Sequence, residues 1–133
     1  MKKWAGALLI TKVGKVILQI RDINPKIINS GMITLFGGSV EGPESTEECF
    51  KREIHEELGL DISDYRFFGL YKKRQATHSE DCDCYVYLVP GINIDTIKVG
   101  EGRGYKLIST KDNYLTSEYS PITQIILNDY FKN

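Results

Sequence analysis

The segment STEECFKREIHEELG, residues 45–59, constrains the fold more than any other part of the chain because it has the start and stop signals of one helix. Ser45 is followed three residues later by Glu48, the spacing of a capping box. Gly59 stands where a helix ends on a residue in the left-handed conformation. We therefore predict a helix over residues 46–58, which needs a second structural layer to bury its apolar side.

Two stripes of side chains run along this helix. At about 100° per residue, an apolar stripe with the spacing i, i+4, i+8 can pack on a sheet. It consists of Phe50, Ile54 and Leu58. The stripe beside it contains only carboxylates and consists of Glu53, Glu56 and Glu57. Like charges at this spacing destabilise a helix by about 0.2–0.5 kcal/mol per pair, so this stripe requires an explanation.

A hard divalent cation would offset the repulsion. Mg²⁺ takes oxygen ligands, keeps several waters and is often shared with substrate phosphates. Carboxylates at i, i+3 and i+4 can converge on one or two such ions, and Arg52 can pair with Glu56 four residues on. The alternative is a solvated acidic face, which a bare run of glutamates favours. The residues that flank the helix distinguish the two.

Residues 38–60 are GSVEGPESTEECFKREIHEELGL. They resemble the Nudix box, G-x5-E-x7-R-E-U-x-E-E-x-G-U, in which U is a bulky aliphatic residue. The fixed positions are filled by Gly38, Glu44, Arg52, Glu53, Glu56, Glu57 and Gly59, and the aliphatic positions by Ile54 and Leu60. At residue frequencies of roughly 5–7%, a chance match at one starting point is on the order of one in a hundred million or less.

The resemblance implies an α/β fold, an α/β/α sandwich with a mixed β-sheet, in which the box forms a loop, a helix and a loop. It also implies hydrolysis of a nucleoside diphosphate linked to another moiety, with Mg²⁺ or Mn²⁺ as the cofactor. Metal ions neutralise phosphate oxygens, lower the pKa of bound water and align the attacking and leaving groups. A protein carboxylate can complete the deprotonation of the water.

The resemblance also implies roles for residues of the box. The expected metal ligands are the side chains of Glu53, Glu56 and Glu57 and the backbone near Gly37 or Gly38. The expected catalytic residues are Glu57, Glu53 and Arg52. In the family, a residue that matches Glu57 is often central to metal binding and sometimes activates the water. Residues that match Arg52 and Glu44 mainly hold the loop and helix in shape, and Gly38 and Gly59 complete this structural set.

Two residues outside the box are further candidates. Glu101, in VGEGRGYKLIS, lies in a segment that looks like the one from which family members supply another carboxylate, so we expect it to be a metal ligand or base. An exposed loop charge is the alternative, and the competing carboxylates are Glu80, Asp81 and Asp83. Arg21 ends a predicted strand, and an arginine in a similar place in relatives can contact substrate. Its alternative is an ion pair, for example with Asp22.

Patterns elsewhere complete the predicted architecture. Apolar and β-branched runs predict strands at 5–11, 15–21, 32–39, 65–76, 84–91 and 104–109. A final helix is predicted to begin at Ser120–Pro121, and its apolar face consists of Ile122, Ile125, Ile126 and Tyr130. Strands mixed with a central and a terminal helix indicate an α/β architecture with helices packed on a sheet.

Composition narrows the class of protein. A chain of 133 residues predicts one domain over 1–133. Seventeen basic and eighteen acidic residues provide no basic field for long nucleic acid or for a membrane surface. The odd number of cysteines favours a reducing compartment, here the cytoplasm. Cys82 and Cys84 alone make a poor zinc site, so we expect them to be strand residues. Cys49 is expected to be a small packed residue of the helix. His78 is expected to be a loop residue without a functional role, and the alternative is a contact with substrate.

The expected partner is a small nucleotide, and a homodimer is possible because many family members form one. Nucleoside triphosphates, ADP-ribose and nucleotide sugars all remain open as substrates. The alternative from another class is a non-catalytic, nucleotide-binding sensor, which loss of box glutamates would favour. No box glutamate is lost here. Isopentenyl diphosphate isomerase shares the fold, but its longer chain and its different setting of catalytic cysteine and glutamate are not apparent here. The GDP-mannose hydrolases depart from the standard box, so the intact box speaks against them.

Overall fold

The computed structural model describes residues 2–23, 31–73, 81–100 and 104–132. Within these ranges the elements are β1 (Lys2–Thr11), β2 (Val16–Ile20), β3 (Ile33–Thr34), β4 (Phe36–Ser39), α1 (Thr46–Leu58), β5 (Arg66–Lys73), β6 (Cys82–Ile92), a 3₁₀ turn (Ile94–Thr96), β7 (Tyr105–Ile108) and α2 (Pro121–Phe131). No helix in these ranges is long and apolar enough to cross a membrane.

The described strands form one mixed sheet. The main order is β3-β2-β1-β6-β5, with β4 paired to β1 and β7 paired to β2. The β1–β6 pair is parallel and the other pairs are antiparallel. The single strand predicted over 32–39 is therefore wrong, because it is divided at Leu35 into β3 and β4. The two halves have different partners, since β1 and β2 diverge and the chain passes from the edge of one to the edge of the other.

Both faces of the sheet are covered by a helix. Along β1, Ala5, Ala7 and Leu9 pack in the cluster that contains the apolar stripe of α1. The alternate residues Leu8 and Ile10 pack on the opposite side, in the cluster that contains α2. Successive strand residues point to opposite faces, so a strand buried on both sides needs an unbroken apolar run. The predicted α/β/α sandwich is confirmed.

Helix α1 begins and ends at the predicted residues. The Ser45 hydroxyl accepts a hydrogen bond from the Glu48 N–H at 3.1 Å, and the Glu48 carboxylate accepts one from the Ser45 N–H at 2.8 Å. Gly59 ends the helix with a φ of 68°, in the left-handed region. Phe50, Ile54 and Leu58 are all fully buried. The burial of this stripe determines the direction in which the carboxylate stripe points.

The predicted apolar face of α2 is partly wrong. Its buried residues are Thr123, Ile126 and Leu127, whereas Ile125 is 54% exposed. The helix can bury Thr123 because the Thr123 hydroxyl forms a 2.7 Å hydrogen bond with the Ser120 hydroxyl. Ser120 therefore satisfies a side chain and does not cap the backbone of the helix. Periodicity alone favours an isoleucine over a threonine and so misplaces this face.

Candidate active site

The three carboxylates of the α1 stripe occupy different environments. The Glu53 side chain is 16% exposed and the Glu56 side chain 56% exposed. Glu57 lies further inward, and its carboxyl is hydrogen-bonded to that of Glu53. In the described ranges, no three His, Cys, Asp or Glu side chains are grouped so that they could hold a metal ion. The structure thus shows an enclosed Glu53–Glu57 pair with Glu56 at its open edge, in place of three convergent ligands.

Arg52 connects these carboxylates to the loop that precedes α1. Its guanidinium donates two hydrogen bonds to the Glu44 carboxylate, at 3.0 Å from Nε and 2.7 Å from Nη2. Nη1 donates to Glu53 at 3.0 Å and, more weakly, to Glu56 at 3.4 Å. The guanidinium lowers the pKa of the Glu44 carboxyl to about 2, so this ion pair persists at any physiological pH. One side chain therefore sets the relative positions of the loop and the carboxylates.

The surroundings of Glu57 disfavour the ionised form of its carboxyl group. Burial raises the pKa of Glu57 well above its usual range, and the hydrogen bond that the protonated Glu57 carboxyl donates to Glu53 and the negative charge of Glu53 raise it further. The charge of Arg21 acts in the opposite direction but does not cancel these effects. Two carboxylates held this close can bind a proton or a cation between them.

Gly38 is required for this arrangement because a side chain at this position would occupy the space of the Glu53 carboxylate. A Cβ atom built on Gly38 would overlap the carboxyl group of Glu53. The Gly38 carbonyl, expected near the metal, lies 3.5 Å from the Cys49 thiol, which can donate a weak hydrogen bond to it. Burial raises the pKa of that thiol to about 12, so Cys49 stays protonated and packed, as predicted.

The donor atoms at this site suit a hard divalent cation. Glu53, Glu57 and Glu56 offer carboxylate oxygens, the ligands that Mg²⁺ and Mn²⁺ prefer. The pair is also short of compensating charge, since the raised pKa of Glu57 shows that the protein does not fully stabilise both carboxylates as anions. The chemistry of the donor set therefore fits the expected cofactor.

Strand β2 forms the opposite wall of the site. Ile17 lies in the core beneath α1, and the next residues on that face of the strand are Gln19 and Arg21. The Gln19 amide nitrogen donates to Glu57 Oε2 at 3.0 Å. The Arg21 Nε atom is buried, and among the described residues no group accepts a hydrogen bond from it. Sequence reasoning missed Gln19. The sequence does carry a signal for it, because the alternate residues on the inner face of this strand change from the apolar Ile17 to the polar Gln19 and Arg21.

Three candidate residues, His78, Glu80 and Glu101, lie outside the described ranges. Gly100, immediately before Glu101, donates its N–H to the Glu57 carbonyl at 2.8 Å. The C-terminal end of α1 therefore anchors the described end of that segment. Asp83 pairs with Lys72 at 3.1 Å, across neighbouring strands. Asp81, the other competing carboxylate in the described ranges, is exposed.

The cysteine predictions agree with the structure. Cys82 and Cys84 are both buried on β6, as strand residues, and their sulfur atoms are 4.0 Å apart. Cys49, Cys82 and Cys84 are all free thiols.

Curated relatives match the chain over short segments. The NAD-capped RNA hydrolase NudC of Vibrio atlanticus is 35% identical over 60 residues, which are 41% of this chain and 22% of that protein. The protein of the same name from Mycobacterium bovis is 50% identical over 38 residues, which are 29% of this chain and 12% of that protein. The chain thus spans less than a quarter of the length of these relatives.

Solved structures match over nearly the whole chain. A MutT Nudix hydrolase from Burkholderia pseudomallei has a TM-score of 0.80 and 25% identity, over 96% of this chain and 95% of that one. A MutT protein from Methanosarcina mazei has a TM-score of 0.81 and 22% identity, over 98% and 90%, and at that identity it supports the fold alone. A family model described as the NUDIX domain matches residues 2–119. The chain belongs to the Nudix family, as the box at residues 38–60 predicted.

Proposed function

We propose that this protein is a pyrophosphohydrolase that requires a divalent cation and acts on a nucleoside diphosphate linked to another moiety. Water would attack phosphorus and cleave the phosphoanhydride bond. The observation that carries the proposal is the enclosed Glu53–Glu57 pair, whose two carboxyl groups are hydrogen-bonded to each other and are only partly compensated by the charges of Arg52 and Arg21. Membership of the Nudix family supports it, as do curated and structural relatives that are named hydrolases.

Glu53 and Glu57 would hold the cation, with Glu56 available at the open edge and the Gly38 backbone beside Glu53. When bound, Mg²⁺ or Mn²⁺ would neutralise substrate phosphates and lower the pKa of a bound water. A carboxylate of the site, Glu57 or Glu53, would accept the proton that this water loses. Arg52 would keep the Glu53 carboxylate oriented toward Glu57 by its 3.0 Å hydrogen bond.

Arg21 is the proposed contact for substrate phosphate. Its Nε is buried without an acceptor in the described part of the chain, and a phosphate oxygen would supply one. We propose Glu101 as a further ligand or base because the residue before it is anchored to the Glu57 carbonyl. Small nucleotides remain the proposed substrate class because the net charge of −1 offers no general attraction for long nucleic acid. A single domain, a cytoplasmic location and a homodimer remain predictions.

The test is a panel of nucleoside triphosphates, ADP-ribose, nucleotide sugars and NAD, incubated with the full chain and Mg²⁺ in water enriched in ¹⁸O. NAD is included because the curated relatives are NAD-capped RNA hydrolases by name. Mass spectrometry of the products should show ¹⁸O in one phosphate of one or a few compounds. Released phosphate, measured with and without added phosphatase, identifies the bond that was cleaved.

The panel also separates an enzyme from a sensor. Activity should disappear in EDTA and return when Mg²⁺ or Mn²⁺ is added in excess. Turnover that persists undiminished in EDTA would contradict the metal-dependent mechanism. Tight binding of a panel member without any turnover would contradict hydrolysis and support the nucleotide-binding sensor instead.

A further inference from the structure

We infer that Gln19 is a positioning residue, whose side-chain amide holds the Glu57 carboxylate in the orientation that binds a divalent cation. This inference rests on the proposed function, since it concerns the same site. It assigns a role to a residue outside the box, on a strand that lies far from α1 in the sequence. The contact that carries it is the 3.0 Å hydrogen bond from Gln19 Nε2 to Glu57 Oε2.

The backbone of β2 fixes the position of Gln19. In the sheet, Gln19 is paired with Thr34 of β3 on one side and with Tyr105 of β7 on the other. A strand bonded along both edges cannot shift its register without losing hydrogen bonds on each side. The amide of Gln19 therefore approaches Glu57 from a rigid wall, and a long side chain on α1 gains a partner that does not move with its own helix.

The chemistry of an amide suits this role. Its N–H group donates to one carboxylate oxygen, which restricts the rotation of the carboxylate without adding positive charge. A lysine at this position would pair with Glu57 and would compete with the cation. An outer hydrogen-bond partner of this kind orients a metal ligand, and its removal typically costs about 10- to 100-fold in metal affinity or activity.

The experiment measures Mn²⁺ binding to the full chain by electron paramagnetic resonance, without nucleotide. It compares the wild type, Gln19→Met, Glu57→Gln and the double variant. Methionine keeps the length of glutamine and removes its donor. We expect Gln19→Met to weaken Mn²⁺ binding about tenfold or more in the wild-type background. In the Glu57→Gln background the same change should have little further effect, because Gln19 acts through Glu57.

Kinetics provide a second readout. With the best nucleotide of the panel, Gln19→Met should lower kcat and raise the Mg²⁺ concentration needed for half-maximal rate, with little change in KM at saturating Mg²⁺. Gln19→Leu, which fills the same space with an apolar branch, should behave like Gln19→Met. It serves as the second variant if the methionine variant does not fold.

Gln124 offers a matched control on the α2 side of the sheet. Its amide nitrogen donates to the backbone carbonyls of Thr116 and Tyr119, at 2.9 and 3.0 Å. Gln124→Met removes the same chemical group and should lower the melting temperature, but it should leave Mn²⁺ affinity unchanged. If Gln124→Met weakened Mn²⁺ binding as much as Gln19→Met, the effect at Gln19 would be one of general stability and the inference would be overturned.

The outcomes separate this inference from the proposed function. Loss of Mn²⁺ affinity that depends on Glu57, in a protein that hydrolyses no nucleotide, would support Gln19 and contradict hydrolysis. Normal hydrolysis together with unchanged Mn²⁺ affinity in Gln19→Met would overturn the role of Gln19 alone. Equal losses in both backgrounds would also overturn it, and a wild type that binds no Mn²⁺ would overturn both proposals.

Discussion

Glu56 and Glu57 are neighbours in the chain, yet one side chain is exposed and the other is enclosed. Glu56 reaches toward Arg52 at the open edge of the site, with 56% of its side chain exposed. Glu57 lies against β2, accepts a hydrogen bond from Gln19 and is hydrogen-bonded to Glu53. One step along a helix changes direction by about 100°, which here separates a solvated charge from an enclosed one.

Glu57→Gln should reduce kcat by at least about a hundredfold and leave the fold intact, because the change keeps the shape and removes a charge that binds metal. Steady-state kinetics and circular dichroism measure the two effects. Glu48→Gln is the control on the same helix, since its amide oxygen can still accept the capping hydrogen bond from Ser45. Near-native turnover by Glu57→Gln would show that the metal is held elsewhere.

The raised pKa of Glu57 predicts a pH effect on the metal-free protein. A carboxyl with a higher pKa folded than unfolded contributes stability that is fully present below its unfolded pKa and is lost as pH rises through the folded pKa, about 8 here. In EDTA the melting temperature should therefore fall as pH rises from about 5 to about 8 and should change little from this cause above that. Mg²⁺ should restore it, and Glu57→Gln should flatten the profile. The same steep decline in Glu57→Gln would assign the effect to another group.

At the scale of elements, the site depends on how closely α1 approaches β4. Both helix ends are set by local hydrogen bonds, and the Glu44–Arg52 ion pair ties the connecting loop to the middle of the helix. The absence of a side chain at Gly38 then allows the Glu53 carboxylate to lie against the strand. The carboxylates are thus positioned by a rigid helix on a rigid strand, which favours a preorganised site.

Gly38→Ala should raise the Mg²⁺ concentration needed for half-maximal rate about tenfold, because the new methyl group displaces the Glu53 carboxylate. The measurement is the rate as a function of Mg²⁺ concentration. Ser39→Ala changes the next residue of the strand, whose side chain is exposed, and should be nearly silent. An unchanged Mg²⁺ dependence in Gly38→Ala would mean that Glu53 does not bind the metal in this position.

At the scale of the whole molecule, the fold brings distant segments to one side of the sheet. β2, α1 and the segment that ends at Gly100 come from different parts of the chain and meet around Glu57. The contact at Gly100 is close, because a Cβ on this residue would lie 2.5 Å from the Glu56 carbonyl oxygen. The described chain at Gly100, the residue before Glu101, therefore lies beside the end of the carboxylate stripe.

Glu101→Ala should lower kcat or raise the Mg²⁺ requirement with little change in melting temperature, since the proposed role is catalytic. Kinetics as a function of Mg²⁺ concentration and thermal unfolding distinguish the two effects. Native kinetics in this variant would exclude Glu101, and the exposed Asp81 would be tested next. Asp83 is a weaker candidate because it already pairs with Lys72.

The sequence by itself determined the parts of the protein that depend on local signals. The capping box at Ser45, the left-handed Gly59 and the spacing of Phe50, Ile54 and Leu58 specify α1, because neighbours along the chain make these interactions. The box motif identified the family and the carboxylate stripe for the same reason. The succession of strands with a central and a terminal helix was sufficient to predict helices packed on a sheet.

Tertiary structure decided everything that depends on partners far apart in the chain. The division of 32–39 at Leu35 follows from the divergence of β1 and β2, and the buried face of α2 follows from the hydroxyl pair of Ser120 and Thr123. Only the packing of α1 on the sheet enclosed Glu57 and brought Gln19 of β2 within 3.0 Å of it. Local periodicity places a side chain on a face, but burial and hydrogen bonding depend on what the fold brings to that face.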